Sequence, residues 1–546
     1  MTGSELALLA RTARHLRAGQ VVHRARLRGQ RLLVRGAPGL ARAVLSGRAP
    51  ADAGWPGQFQ PLDARLRGWP DAVELASGRV TLLGVRGALR DWRHREKPQL
   101  WRYHLHYWDW AWALTQGVPP DDARRLFGDL FRSWCAGTRF GQWDEWSPYV
   151  AALRAWSWCG QYAPLVRGTE IDDDFRAQLA LHAGFLRRHL ERDVGGNHLV
   201  KDLKALIGLG VFLRDEALLG RAVSLLGREL RVQVLADGGH YERSPAYHCQ
   251  VLGDLIDVDA LLAAATSAVP EELSRAVSEM RRWLGLVVAP DGSLPPLNDG
   301  FPMRADLLAA LEPGPAAPDG LTLLADTGLG IMRRGGLHVI ADVGLPCPDE
   351  LPAHAHADTL GFLLYDGDTC VVGECGTSTY EAGARRAYER GTAAHSTVEV
   401  DGANSTEVWG TFRAARRARP TSVTAVDRDG RSVLSASHDG YARLPGRPIH
   451  ARTWSLTAVG LVVDDAISGS GVHDVRTHVH LAPGITWTPG GGVGRLRVGS
   501  LTPLTAEQME AARGWHELVP AVVLTSRVRA SLPWRGRIEF AAEDAA

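Results

Sequence analysis

The sequence predicts a multidomain α + β chain, a helical half followed by an antiparallel β-sandwich, on three observations. At 546 residues it is longer than one hydrophobic core usually organises, so two large domains are expected. Residues 60 to 310 carry apolar side chains at helical spacing, whereas the residues beyond 320 carry short alternating runs between Gly, Pro and Asp turns. Between the two lies EPGPAAPDG, residues 312–320, a linker by composition.

The first 58 residues read as a helical leader. Arginine interrupts MTGSELALLARTARHLRAGQVVHRARLRGQRLL every few residues, which leaves no apolar core for a secretion signal. This basic amphipathic segment is expected to pack as a solvated helix on the main domain, in preference to lying on a membrane. The helical region, 59–311, follows. Phe175, Leu179, Leu186 and Leu190 make one stripe, with Asp172 to Asp174 at the positive end of the helix. Leu199, Leu203, Leu206 and Ile207 make a second; Leu218, Ala222, Leu225 and Leu226 a third; Val251, Leu255, Val258 and Leu262 a fourth. Such successive helices fit a toroid of helical hairpins, a solenoid or a bundle, and periodicity does not choose among them. In 321–546 the runs LHVIADV, HSTVEV, GLVVDDAI and RTHVHLA read as strands of a sandwich. PGGGVGR (489–495) lacks the GK[ST] ending of a phosphate loop and reads as a hairpin turn.

A formal net charge of +1 gives no reason to expect nucleic acid as a partner. Only Lys97, Lys201 and Lys204 are lysines, an arginine bias that says little about partners. Six scattered cysteines without a CxxC pair suit free thiols in a reducing compartment. No run of 18 apolar residues exists, so no transmembrane segment is expected. Together these point to a cytoplasmic protein, for which a homodimer is an open option.

Residues 353–411 are the richest in chemistry. AHAHADTLGF enters an alternating apolar segment, so His354, His356 and Asp358 are expected on one face of a strand. Glu374 ends a second short strand and His395 opens a third. Histidines and a carboxylate on neighbouring strands suit a zinc site. Further upstream, Asn197 precedes a helical stripe, where an N-cap role competes with a functional one. Ser244 and Pro245 look like the N-cap and first residue of a helix, which places Tyr247 in its first turn. There the helix end, with His198 or Arg243 beside it, is expected to lower the phenol pKa.

HAHADTLGF, ECGTSTYE and TAAHSTVEVDG, with WRYHLHYWDW, GGNHLVKDLKALIGLG, DGGHYERSPAYH and DGSLPPLNDG in the same order upstream, resemble the heparinase II/III family of polysaccharide lyases. The resemblance covers roughly residues 95 to 420. It implies an N-terminal incomplete (α/α) toroid followed by a C-terminal antiparallel β-sandwich. It also implies β-elimination at the O4 bond of a uronic acid in an acidic polysaccharide. By matching motif, Asn197 and His198 would neutralise the C5 carboxylate, Tyr247 would act as general acid and also as base, and His354 would be a base from the second domain. Arg243, His248, Tyr380, Trp108 and Tyr149 are candidate substrate contacts. His356, Glu374 and His395 match the family's zinc ligands, in a role that organises the domain interface.

Three positions depart from the family pattern. Lys201 stands where Glu is frequent, Glu374 where Asp is usual, and Ser378 where a tyrosine is common, leaving Tyr380. Trp101, Tyr103, Tyr107, Trp108, Trp146 and Tyr149 are candidates for either sugar platforms or core. Arg413, Arg416 and Arg417 could meet an anionic polymer or decorate a strand. Two other functions stay in view. One is an inverting glycosidase, with Asp144, Glu145, Asp237 and Glu242 as the available acids. The other is a catalytically silent polysaccharide-binding protein.

Overall fold

The structure, a computed structural model, describes residues 3–66, 69–142, 144–266, 268–488 and 491–542. Three leader helices, α1 (Gly3–Ala13), α2 (Ala18–Gly36) and α3 (Pro38–Leu45), lie against the body. The expected packing of the leader is seen, and it ties to both halves. Gln20 donates to the carbonyls of Asp193 (3.2 Å) and Glu350 (3.3 Å), and Arg11 pairs with Glu407 (3.1 Å).

The helical half contains the predicted helices. The four stripes lie on Asp172–His189, Gly196–Leu213, Glu216–Gln233 and Pro245–Ala265. Gly196–Leu213 packs against its neighbours on both sides and is buried along nearly its whole length, because its apolar residues run all round it. One short hairpin, Arg79–Leu82 with Val85–Ala88, interrupts this half and was not expected.

Much of the helical core is aromatic. Trp108 stacks on Trp92 (5.7 Å, 9°) and on Trp110, and meets the edge of Trp158. The fully buried Arg154 lies 4.6 Å from the ring centre of Trp134, near Trp146 and Trp158, where the ring faces offset part of its lost hydration.

The second half is antiparallel throughout. A five-stranded meander runs Gly320–Leu324, Leu329–Arg334, Leu337–Asp342, Phe362–Asp366 and Thr369–Val372. A seven-stranded sheet carries Pro420–Arg428 through Gly460–Ser468 and Trp534–Ala542. A four-stranded sheet holds Thr505–Gly514, Glu517–Ser531, Val472–His480 and Val398–Val400. Leu434, Trp454, Val463, Phe362 and Phe540 fill the space between the sheets. Gly492–Val493 and Leu496–Ser500 pair as the hairpin expected there, while Pro489 and Gly490 lie outside the described residues.

One predicted strand is absent. Residues 353–361 form an irregular loop, and the sheet begins only at Phe362. The loop's backbone groups go to other partners: Ala357 N–H donates to the Arg390 carbonyl, His356 N–H to Asn298 Oδ1, and the Ala355 carbonyl accepts from Arg390. Leu360 at φ +64° is incompatible with a continuous strand. The neighbouring strands are also shorter than expected, so Glu374 lies beyond Val372 and His395 follows a 3-10 turn at Thr392–Ala394.

Candidate active site

The toroid wall and the sandwich loops meet at a cleft of about 550 Å³. Asn197, His198, Lys201, Glu242 and Tyr247 line the helical side, with Tyr103, Tyr107 and Tyr149. His354, Tyr380, Phe412 and Trp515 line the other side.

Asn197 reaches the cleft because two glycines with positive φ precede or open its helix, Gly195 (+74°) and Gly196 (+56°). A Cβ on Gly196 would collide with Glu242 and Leu351, so the close approach also demands glycine. Asn197 is the second helical residue rather than an N-cap. Its backbone N–H donates to Glu242 Oε1 at 2.6 Å, and its amide donates to both Glu242 oxygens at 3.1 Å. His198 is the more accessible of the pair. Its ring lies 4.3 Å from that of Tyr149, and Glu191 Oε2 is 3.2 Å from Nδ1.

Tyr247 is in the first turn of Pro245–Ala265, after Ser244, as the sequence indicates. Its hydroxyl lies 2.8 Å from that of Tyr380, and its ring stacks on His354 (3.7 Å, 25°). The expected drop in phenol pKa is not found. Burial, followed by the neighbouring Tyr380 and Asp299, raises it well above the ordinary value, so the hydroxyl stays protonated. Arg243 cannot oppose this, because its guanidinium turns away to the carbonyls of Asp326 (2.7 Å) and Thr327 (2.8 Å).

His354 is gripped from two sides, by Asp299 Oδ2 at Nδ1 (3.0 Å) and by Glu242 Oε2 at Nε2 (3.2 Å). Burial alone would lower its pKa, but the hydrogen bonds to Asp299 and Glu242 outweigh it and raise the value to about 9. Glu242 is held down to about 2: burial acts to raise it, and the hydrogen bond with His354 and the charge there prevail.

Asp299 is the hub that sequence reasoning missed as a site residue, although it lies within the quoted LNDG run. It is fully buried and receives Arg386 through both nitrogens (Nη2 at 2.8 Å), His354, and His356 Nε2 at 2.9 Å. Its neighbour Asn298 donates to the Arg243 carbonyl and accepts from His356 N–H, tying the two loops together. Arg386 also lies 4.8 Å from the ring centre of Tyr380. Nothing local in the sequence marks Arg386; only the fold brings it to Asp299.

Several expected contacts are elsewhere. Trp108 is fully buried in the aromatic core, since its stacking partners surround it on all sides. His248 is buried, bonded to the Met280 carbonyl (3.0 Å) and stacked on Trp283, because the residue after Tyr247 points about 100° further round the helix, away from the cleft. Arg243 is outside the cleft, as described. Trp101 and Trp146 are core, whereas Tyr103, Tyr107 and Tyr149 line the cleft. Arg417 is buried against backbone carbonyls, Arg416 pairs with Glu407 and Arg413 lies over Trp409, so none of the three faces the cleft. Lys201 does line it, with Nζ 2.8 Å from Asp254 Oδ1. Beside it Lys204 joins Asp254 to Asp257 under Trp156.

The glycosidase acids do not converge. Asp144 pairs with Arg102, Glu145 is buried near Arg139, and Asp237 binds Thr327; only Glu242 reaches the cleft.

The zinc set is partly assembled. Glu374 is hydrogen-bonded to His395 Nδ1, and the rings of His356 and His395 are 5.3 Å apart. One donor atom on each residue is buried without a hydrogen-bond partner, namely His356 Nδ1, Glu374 Oε1 and His395 Nε2, and so is Asp358 Oδ1. Orphaned nitrogens and carboxylate oxygens of this kind are the donors zinc takes, so the residues fit the ion chemically. They are not drawn tight: among the described residues, the one trio with ligand atoms all within 4.8 Å of one another is Asp91, His94 and Glu96, on a different surface.

Comparison with known proteins matches two consecutive families to this chain, the heparinase II/III N-terminus over residues 138–312 and the heparinase II/III-like C-terminal domain over 316–529. A curated relative, FtsZ-localized protein C of Caulobacter vibrioides, is 29% identical over 420 residues, covering 73% of this chain and 71% of its own. Among solved structures, one of heparinase III superposes with a TM-score of 0.70 at 15% identity, covering 83% of this chain and 79% of that one. Heparan sulfate lyase HepC of Pedobacter heparinus gives 0.60 at 17% identity, covering 89% and 86%. Both carry the same toroid and sandwich.

Proposed function

Because the chain belongs to the heparinase II/III-like family, we propose that it is a polysaccharide lyase that cleaves an acidic, uronate-containing polymer by β-elimination at O4. One observation carries the reading: a protonated phenol, Tyr247, stacked on an imidazole, His354, whose far nitrogen is fixed by a buried carboxylate, at the mouth of one cleft.

In this reading Tyr247 protonates the departing O4. Its neutral state suits it to donate, and Tyr380 can hand on a replacement proton across the 2.8 Å hydroxyl contact. Asp299 fixes His354 Nδ1, so Nε2 is the atom presented to the cleft; it takes the C5 proton after substrate displaces Glu242 and that carboxylate carries the Nε2 proton away, which leaves the ring neutral. His198 and Lys201 meet the C5 carboxylate first. Asn197 joins them when that carboxylate displaces Glu242, which otherwise holds the amide hydrogens. Donors aimed at charge that develops on the way to the enolate are worth about 2.7–4 kcal/mol each.

Zinc belongs to the same reading, held by His356, Glu374 and His395 through their orphaned atoms, with Asp358 in reach. When bound, it would order the loops that carry His354 and His395. The expected result is about one zinc per chain by elemental analysis, lost in His395→Ala together with part of the melting temperature; absence of metal from the native protein would remove this part of the proposal.

The deciding experiment follows the ultraviolet absorbance of a C4–C5 unsaturated uronate while the protein is incubated with a panel of acidic polysaccharides. Absorbance should rise with one polymer class. New reducing ends without that chromophore would mean hydrolysis and would overturn β-elimination. The relative named as FtsZ-localized favours a second reading, a saccharide-binding protein that localises with FtsZ. Binding without turnover on every polymer would decide for it.

A further inference from the structure

The leader helices carry an outer face that the packing leaves bare. On α2 the residues turned inward are Gln20, Leu27 and Val34, seven apart. At about 100° per residue the opposite arc holds Val21, Val22, Ala25, Leu32 and Leu33 and no charged residue. Val21, Val22, Leu32 and Leu33 are 54, 66, 70 and 74% exposed, and Leu40 and Val44 of α3 continue the patch at 69 and 58%. A helix that only packs on a domain turns such residues inward; this one has aliphatic side chains on the solvent side as well.

Arginines border the arc. Arg24, Arg28, Arg31 and Arg35 follow one edge and Arg26 the other, and residues 1–48 hold ten arginines against one acidic residue, Glu5. Among the described residues no carboxylate pairs with Arg28, Arg31 or Arg35. Beside the Arg26 edge, where α2 meets the ends of Asp172–His189 and Glu216–Gln233, a recess of about 120 Å³ is lined by Arg26, Arg187, Arg188, Arg192, Arg221 and His23. No carboxylate lines it.

We propose that α2 and α3 dock the protein on an anionic phospholipid surface, with the aliphatic arc at the acyl boundary and the bordering arginines and the recess on headgroup phosphates. An apolar row between cationic edges is the pattern of a helix lying in the plane of an interface, where burial and charge attraction act together. A second copy of this chain fits poorly, since apposing two such faces would bring the five bordering arginines of each copy, ten in all, together in a small area. None of the helices described is long and apolar enough to cross the bilayer, so the attachment is peripheral.

The test is co-sedimentation of the full chain with vesicles of phosphatidylethanolamine and phosphatidylglycerol, and with vesicles of phosphatidylcholine alone. Binding is expected to the first and not the second, and to weaken as salt is raised. Leu32→Glu with Leu33→Glu should reduce it at least about tenfold, because both residues lose their place at the acyl boundary. Arg192→Ala with Arg221→Ala should weaken it severalfold. All four side chains lie away from the cleft, so the melting temperature and cleft chemistry should hold. No binding to the anionic vesicles, or equal binding to both kinds, overturns the proposal. So does light scattering that shows a dimer made monomeric by the Leu32/Leu33 variant, which would assign the face to a second copy.

Discussion

Tyr247→Phe should lower kcat for β-elimination by roughly 10²–10⁴-fold, the range in which positioned proton transfer operates. The substitution removes one oxygen. It leaves the ring on His354 and the edge contact with Phe301, so neither the stack nor the cleft wall should move. KM should therefore change little, and the loss should fall in kcat, the signature of an interaction made in the transition state. Tyr380 loses its partner at the same time, but that hydroxyl borders the cleft and water can replace the bond. Steady-state kinetics on the active polymer, with melting curves for both proteins, checks this. A variant that keeps full kcat would remove Tyr247 from the chemistry and leave His354 without an acid partner.

Asp299→Ala should be the most damaging single change to both fold and function, with a loss of about 3–5 kcal/mol of stability. Burial would push the Asp299 carboxyl up, yet the Arg386 charge and the bonds to His354 and His356 hold it well below the ordinary range. Removing it strands Arg386, itself 1% exposed in its side chain, as a buried charge without its counterion. It also frees His354 Nδ1 and His356 Nε2 together, so the base loses its orientation. Denaturant unfolding measures the first effect and turnover by the surviving folded fraction the second. Asp299→Asn keeps the shape and should lose less stability, yet it should still lose activity. A stable and active Asp299→Ala variant would show that the hub does not position the site.

How much of the site could be read from the chain varies by residue. Tyr247 was legible because SPAY is a local signal: a serine at the N-cap position, although its hydroxyl caps no backbone N–H here, a proline at the first helical position, and a phenol within the first turn. GGNH was legible only through the resemblance; read locally, Asn197 competes as an N-cap, whereas the two positive-φ glycines start the helix at Gly196 and put Asn197 inside it. His354 and His356 share a partner, Asp299, but not as neighbours on one face of a strand, which their i, i+2 spacing predicts; they lie in a loop, because the backbone there bonds to Asn298 and Arg390 instead of a neighbouring strand. Trp108 and His248 sat in matching motifs and turned out to be core. A motif shows that a residue is near a site, and only packing shows which way it faces. Arg386 and Trp515 carried no signal, since each arrives from a distant segment.

What the sequence by itself determined is whatever short-range chemistry controls. That comprises the helical half, the sandwich, the break between them, and the first turns that carry Asn197 and Tyr247. Periodicity, caps and glycine φ act over a few residues, so they are written locally. The tertiary structure alone decided which carboxylates hold the site and which side of α2 is left outside. Glu242 lies 112 residues from His354, and Asp299 lies 87 from Arg386. Contacts of that separation depend on how whole domains dock, and no window of sequence contains both partners.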